Sequence, residues 1–506
     1  MLKIGWSMKD VSTELPVCIP GQFYMRVSQG VLDPITVTAL TLSDENDYVI
    51  FLSCDLVTVR AGILDEIREK VVQMNPQIDP LKVIMHVTHT HSGPLLCVGD
   101  SYGNFGEPGE VPLGGVEVTT ANEYRPFFTD KAAEAVVESF ASKESGSVAY
   151  GYGFAVVGHS RRVVYLDDTS KRSGSWGENS LIVNGRAQMY GITRDDNFSH
   201  YEAGADHFSN FLFTFDQEDK LTGAIINIPC PSQNSAGESL LSADYWHDVR
   251  VELKKRYGDI FVLPQCAAAG DLAPRILHYR EAQERRFRLK YSDFKPDPRA
   301  ITPGELKIRK DIAERICNAF DEVYSWASRE KYAQLPIVHS VKTVHLDRRL
   351  VPEDTYASAC RAKERQLENM NFITEGEPLD ILKHNTILVS ESRRYDSTIE
   401  RYQTQTECPT HPMEMHIVKV GDVAFATNQF ELFMDYQHRI QARSPFVQTF
   451  IVQLAAQPGM NNGSYLPTER GVWGKGYSAS IFDNVVSPSG GQQLVEETLK
   501  ELNRIR

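Results

Sequence analysis

The stretch Leu81 to Pro94, LKVIMHVTHTHSGP, constrains this chain most, because an apolar run ends abruptly in two histidines two positions apart. Val83 to Val87 reads as a buried strand, and residues i and i+2 of a strand point to the same side. His89 and His91 therefore lean together into the space beyond the strand's end. Gly93 and Pro94 stop the strand and turn the backbone away, leaving the imidazoles at an opening where a metal or a substrate could be met. The blander alternative has one histidine satisfied in the core and the other solvated. A His-Thr-His-Ser-Gly-Pro string at a strand end favours the site.

The rest of the chain alternates strands and helices. Ile35 to Leu42 and Tyr48 to Leu52 are strand-like, and Ala61 to Met74 has helical periodicity leading into the histidine strand. Val98 to Thr120 reads as an ordered Gly-rich loop beside the site, and Asp130 to Ala141 as a helix. Phe211 to Phe215 and Thr222 to Ile228 form a hairpin running into Pro229-Cys230-Pro231, with a helix over Asp244 to Tyr257. A short strand, Phe261 to Leu263, feeds the turn Gly270-Asp271-Leu272-Ala273-Pro274. Arg285 to Pro303 is the best candidate for an exposed connection, and Glu305 to Tyr332 follows as an amphipathic helix. His416 to Val420 and Val423 to Thr427 flank a Gly421-Asp422 turn, and a closing helix covers Gly490 to Leu502. The sequence carries no internal repeat of useful strength. The fold class expected is α/β, with mixed β-sheets flanked by helices.

Composition narrows the function classes. A formal charge of -14 argues against a phosphate-binding surface and hence against nucleic acid. Apolar runs fall short of the roughly 20 residues a membrane helix needs, and the start MLKIGWSMKD lacks the regions of a secretory signal. Eight cysteines without a CxxC pairing suit a reducing compartment and free thiols. A cytoplasmic protein acting on a small-molecule substrate, with no membrane partner, is the expectation. Its oligomeric state is left open.

Thr88-His89-Thr90-His91-Ser92-Gly93-Pro94, the Gly270-Asp271 turn, the Gly421-Asp422 hairpin leading to Glu431, and Tyr465-Leu466-Pro467-Thr468 occur in the order of the neutral ceramidase catalytic domain, which the chain resembles. The resemblance runs from Pro20-Gly21 to Gly491 through Glu497, and THTHSGP is its specific part. It implies one catalytic unit over residues 1 to 506, without the immunoglobulin-like C-terminal domain of the ceramidases, and one zinc ion per chain. His89, Glu431 and Tyr465 match zinc ligands; Cys230 stands where the family has its second metal histidine. A thiolate is credible there, because zinc binds cysteine sulfur at ~2.3 Å. The alternative for Cys230 is a small core hydrophobe between prolines.

A second departure bears on mechanism. Ala273 stands where the ceramidases carry a serine considered to be a nucleophile. The attacking group is then a metal-activated water, with His91 or Asp271 taking its proton and Arg161, in Ser160-Arg161-Arg162, steadying the oxyanion. A surface ion pair is the alternative for Arg161. Asp55 is a candidate to orient an imidazole, or else a helix cap. Gln233, His247 and Trp473 are candidate substrate contacts, with turn formation, capping and ordinary packing as their respective alternatives. The leading expectation is a zinc-dependent hydrolase of an amide-type bond in a small polar substrate other than ceramide. A metal-dependent hydrolase of a C–O bond, as in a glycoside or ester, and a non-catalytic binding protein are the other two readings.

Overall fold

Strand periodicity settles the architecture. Ile50 and Leu52 pack in one core while Val49 and Phe51, on the opposite side of the same strand, pack in another. The same split recurs at Phe211 and Phe213 against Leu212, and at Met415 and Ile417 against Val418. Three sheets therefore each send one face into a single shared core and turn the other toward helices. The computed structural model that reveals this describes residues 1–97, 105–106, 109–172, 183–237, 239–294, 303–459 and 463–506.

The three sheets are built alike. In the first, Lys3–Asp10, Thr36–Ser43, Tyr48–Cys54 and Val83–Val87 lie side by side in chain order. The first two neighbouring pairs are antiparallel and the last is parallel, joined through the helix Ile63–Met74. Ser147–Phe154, Phe208–Phe215, Leu221–Ile228 and Phe261–Cys266 repeat this pattern, with Tyr245–Tyr257 as the crossover. Ile337–Asp347, Thr410–Val420, Val423–Thr427 and Gln448–Val452 repeat it again around Met434–Gln441. A further helix closes the outer face of each unit: Ala121–Ala141, Pro303–Ala327 and Pro488–Ile505. The last shows how sequence specifies these helices. Ser487 caps it, Pro488 supplies the preset first turn, and Leu494, Val495, Thr498, Leu499 and Leu502 form one buried stripe.

The expected α/β class with mixed sheets and flanking helices is what the chain adopts. Val83–Val87 matches its expected bounds. The helix expected from Asp130 begins at Ala121 under a Thr120–Glu123 capping box; Pro126, poor in a helix interior, hides that start. The exposed connection expected over Arg285 to Pro303 is helical as far as Lys290, and residues 295–302 lie outside the described residues. Of the loop expected over Val98 to Thr120, residues 98–104 and 107–108 also lie outside them. The threefold repeat is a repeat of topology, which sequence comparison within the chain does not detect. Among the described residues no helix is long and apolar enough to cross a membrane.

Candidate active site

Each unit ends its parallel pair at the same end of the molecule, so the segments after these strands converge. His89 follows Val83–Val87, Cys230 follows Leu221–Ile228, Asp271 follows Phe261–Cys266 and Glu431 follows Val423–Thr427. Ligand sites of open α/β sheets form outside the carboxyl ends of strands. Cross-unit bonds lock the ends together: Asn227 Nδ2 donates to the Ile451 carbonyl at 2.8 Å and Ser53 Oγ to the Pro264 carbonyl at 2.6 Å.

At the centre lies a buried cluster. His89 Nδ1 is 2.7 Å from the Val57 carbonyl, a bond that makes Nδ1 the protonated nitrogen and leaves Nε2 with its lone pair. That Nε2 lies 3.4 Å from Glu431 Oε2 and 3.5 Å from His91 Nε2. Arg161 Nη2 approaches Glu431 Oε2 at 3.4 Å and donates to the Gly270 carbonyl at 3.0 Å. Glu431 pairs with Tyr465 in a short parallel ladder, and the Arg161 guanidinium stands 5.9 Å from the Tyr465 ring. His89 has φ 61°, a left-handed conformation that a non-glycine residue holds only when its surroundings demand it. Burial, reinforced by His89, Arg26 and Arg161, pushes the His91 imidazole well below its ordinary pKa. Burial also pushes the Tyr465 phenol up, and the Glu431 carboxylate adds to that.

Of the residues singled out in the sequence, His89, His91, Arg161, Glu431 and Tyr465 come together, and Gln233 joins them through a bridging phenol. Gln233 Nε2 donates to Tyr190 Oη at 2.9 Å, and Arg161 Nη1 donates to the same oxygen at 3.1 Å. The other candidates are engaged elsewhere. Cys230 sits in the apolar core with its thiol donating to the Pro231 carbonyl at 3.5 Å, and burial pushes that thiol well above its ordinary pKa. Asp55 does not orient an imidazole: it holds Thr36, Thr88 and Arg250, and the Val57 carbonyl takes the orienting role. Nor does Asp55 cap the next helix, whose cap is Gly62. Asp271 Oδ1 accepts from the Met434 amide at 3.0 Å, at the start of a helix, and burial brings its carboxyl up to about 6. His247 is half-buried in the first turn of Tyr245–Tyr257, and Trp473 is 66% exposed. Ala273 is buried in the small ladder with His159.

Tyr190 and Gly21 were not legible as site residues, whereas Tyr477 closes the aromatic segment Tyr465 to Tyr477 that the sequence offers as a stacking wall, with ordinary packing as the alternative. Tyr477 stacks edge-on against Tyr465 at 5.6 Å. A Cβ at Gly21 would stand 2.7 Å from His91 Nδ1, so this position must be glycine for the imidazole to fit; Pro20-Gly21 was the signal available.

Glu431 Oε1 is buried with no hydrogen-bond partner among the described residues, which is the mark of a carboxylate awaiting a cation or a proton. His89 Nε2, Glu431 and Tyr465 fit a divalent ion with nitrogen and oxygen donors. The fit depends on the tyrosine, because no group of three or more His, Cys, Asp and Glu side chains among the described residues could hold a metal ion.

The arrangement of three mixed sheets around one core is the fold of solved neutral ceramidases. The crystal structure of neutral ceramidase from Pseudomonas aeruginosa matches 99% of this chain, and 75% of its own, with a TM-score of 0.65 and 13% sequence identity. A ceramidase complexed with C2 matches 100% of this chain and 75% of its own at 0.63 and 13%. No protein-family model and no curated protein matches the sequence.

Proposed function

We propose that the protein is a zinc-dependent hydrolase acting on an amide-type bond of a small polar substrate. The observation carrying this reading is the buried convergence of His89, His91, Arg161 and Glu431, with Glu431 Oε1 left without a partner among the described residues. The proposed ligands are His89, Glu431 and Tyr465. When bound, zinc supplies Lewis acidity, which makes water a stronger acid and a carbonyl a better electrophile. The protein's own groups do the rest. His91, whose Nε2 faces His89 Nε2 at 3.5 Å, is the acceptor for the water proton. Arg161, fixed by Gly270 and Tyr190, presents a permanent positive charge to the oxygen that becomes negative. Asp271, engaged by the Met434 amide, takes no part.

Ceramide is not the proposed substrate. Ala273 removes the hydroxyl considered the nucleophile in the ceramidases, and the acidic, polar chain suits a soluble substrate. The test is elemental analysis of gently purified protein beside Glu431→Gln, followed by product detection on panels of N-acyl compounds, glycosides and esters. About one zinc per chain, lost in Glu431→Gln, with turnover of N-acyl compounds, is the expected result. Turnover confined to glycosides or esters would replace the amidase reading. A protein that neither holds nor takes up metal and turns over nothing is a binding protein on this fold.

A further inference from the structure

Tyr190 holds its place by three bonds to the candidate active site. Its amide donates to the Arg161 carbonyl at 2.7 Å, and its phenol oxygen accepts from Arg161 Nη1 at 3.1 Å and from Gln233 Nε2 at 2.9 Å. The Arg161 guanidinium also stands 5.6 Å from its ring. The backbone is strained to achieve this, with φ 55° at a bulky side chain. A phenol oxygen has one hydrogen to give and limited room for acceptance. With two N–H donors already on the oxygen, the O–H hydrogen is directed away from both, and it has no acceptor among the described residues. Tyr190 is 42% exposed, whereas Arg161, Glu431 and His89 are buried, so this residue joins the buried cluster to the surface.

We infer that Tyr190 is a catalytic acid that donates its hydroxyl proton to the leaving group; this rests on the hydrolase reading above. As water adds to the carbonyl carbon and gives a proton to His91, the scissile bond breaks and its electron pair goes to the departing nitrogen. The Tyr190 O–H bond breaks with it, and the proton joins that nitrogen. The phenolate left behind is held by the Arg161 and Gln233 N–H groups, two charge-stabilising donors already in place; solvent then returns a proton to Tyr190 and takes the one held by His91. The strained backbone is thereby explained as the cost of aiming this one hydroxyl.

Tyr190→Phe tests the assignment, because it keeps the ring and the backbone and removes only the hydroxyl. Wild type, Tyr190→Phe and Gln233→Ala are compared on two substrates sharing one acyl group: an alkylamide, whose nitrogen must be protonated to leave, and a p-nitrophenyl ester, whose phenolate leaves unaided. Thermal melts of the three proteins report on folding. The expected result is a fall in kcat of ~100-fold or more for Tyr190→Phe on the alkylamide, with KM held. The same variant loses far less kcat on the ester, where only the missing Arg161 contact is felt, and Gln233→Ala shows a smaller fall of the same selectivity. Equal rates for Tyr190→Phe and wild type on both substrates, or equal losses on both, would overturn the acid role while leaving the hydrolase reading intact. A wild type that turns over neither these nor the wider panels removes the hydrolase reading, and the acid role falls with it.

Discussion

Glu431 and Tyr465 are register partners in a parallel ladder only two residues long, so their side chains leave the backbone on the same side. The ladder is held in place from outside. Gly270, in the turn after Phe261–Cys266, donates its amide to the Leu432 carbonyl at 2.8 Å, and Arg161 bonds the Gly270 carbonyl in turn. The carboxylate and the phenol are thus positioned by a turn from the second unit.

Gly270→Ala should therefore injure the site more than its single methyl suggests. The added Cβ would run into the Glu431 carbonyl, a backbone group that cannot swing aside. Overpacking of this kind costs roughly 1–3 kcal/mol, and here the strain falls on the ladder that carries the two proposed ligands. A lowered thermal midpoint together with reduced zinc content is expected. Zinc content equal to wild type would show that Glu431 tolerates the shift.

Cys230→Ala should leave zinc content unchanged and cost stability of about 1 kcal/mol, the scale of removing a small buried group. The thiol faces the Pro231 carbonyl inside the apolar core, and the Cys230 carbonyl is itself bonded by Tyr245 at 2.9 Å. Zinc lost from the purified variant, measured by elemental analysis, would return Cys230 to the ligand set.

His86→Leu should stabilise the protein. His86 is fully buried, both ring nitrogens lack partners among the described residues, and burial brings its pKa down to about 3. Leaving a buried polar group unsatisfied costs about 1–3 kcal/mol. The sign with pH follows from proton counting: below the ordinary histidine pKa of ~6.5 the unfolded chain binds a proton that the folded one does not. Stability contributed by the neutral ring is complete above that value and is lost as pH falls toward about 3. Urea midpoints at pH 7 and pH 5 should show the variant more stable at both and less sensitive to the change. A lower midpoint at pH 7 would mean that the imidazole has a partner, such as an ordered water.

Arg250→Met should be severely destabilising, by ~3–5 kcal/mol, because it strands a buried carboxylate. Arg250 Nη1 meets Asp55 Oδ2 at 2.7 Å, and Asp55 has no exposed surface. The double variant Arg250→Met with Asp55→Asn should recover part of the loss in chemical denaturation. No recovery would place the cost in packing rather than charge.

What the sequence disclosed followed the reach of its local signals. The histidine strand was legible because five apolar residues followed by HTHSGP leave little choice, and its bounds agree with the structure. Arg161, Glu431 and Tyr465 could be named only through the order of a family's motifs, since nothing local marks residues 270 positions apart as neighbours. Tyr190 was missed because its importance lies in a backbone conformation and two long-range donors. Asp55 misled because a carboxylate at a strand end suits an imidazole, an arginine or a helix cap equally well. The helices Pro378–Arg393 and Asp396–Thr404 were not read at all, and their apolar faces are short and interrupted by polar residues that the fold buries.

The threefold architecture sets the timetable of synthesis. Each sheet has an inner face that is covered only by the other two, and the third sheet is complete only when Gln448–Val452 has been made. A ribosome-bound chain of roughly 400 residues therefore carries two apolar sheet faces still lacking the third that completes their cover, the condition in which nascent chains aggregate or recruit chaperones. The final helix, Pro488–Ile505, packs on the outside of that third sheet. Folding of this protein thus comes late and all together, and its yield in a cell should depend more on what shields the growing chain than on the stability of the finished one.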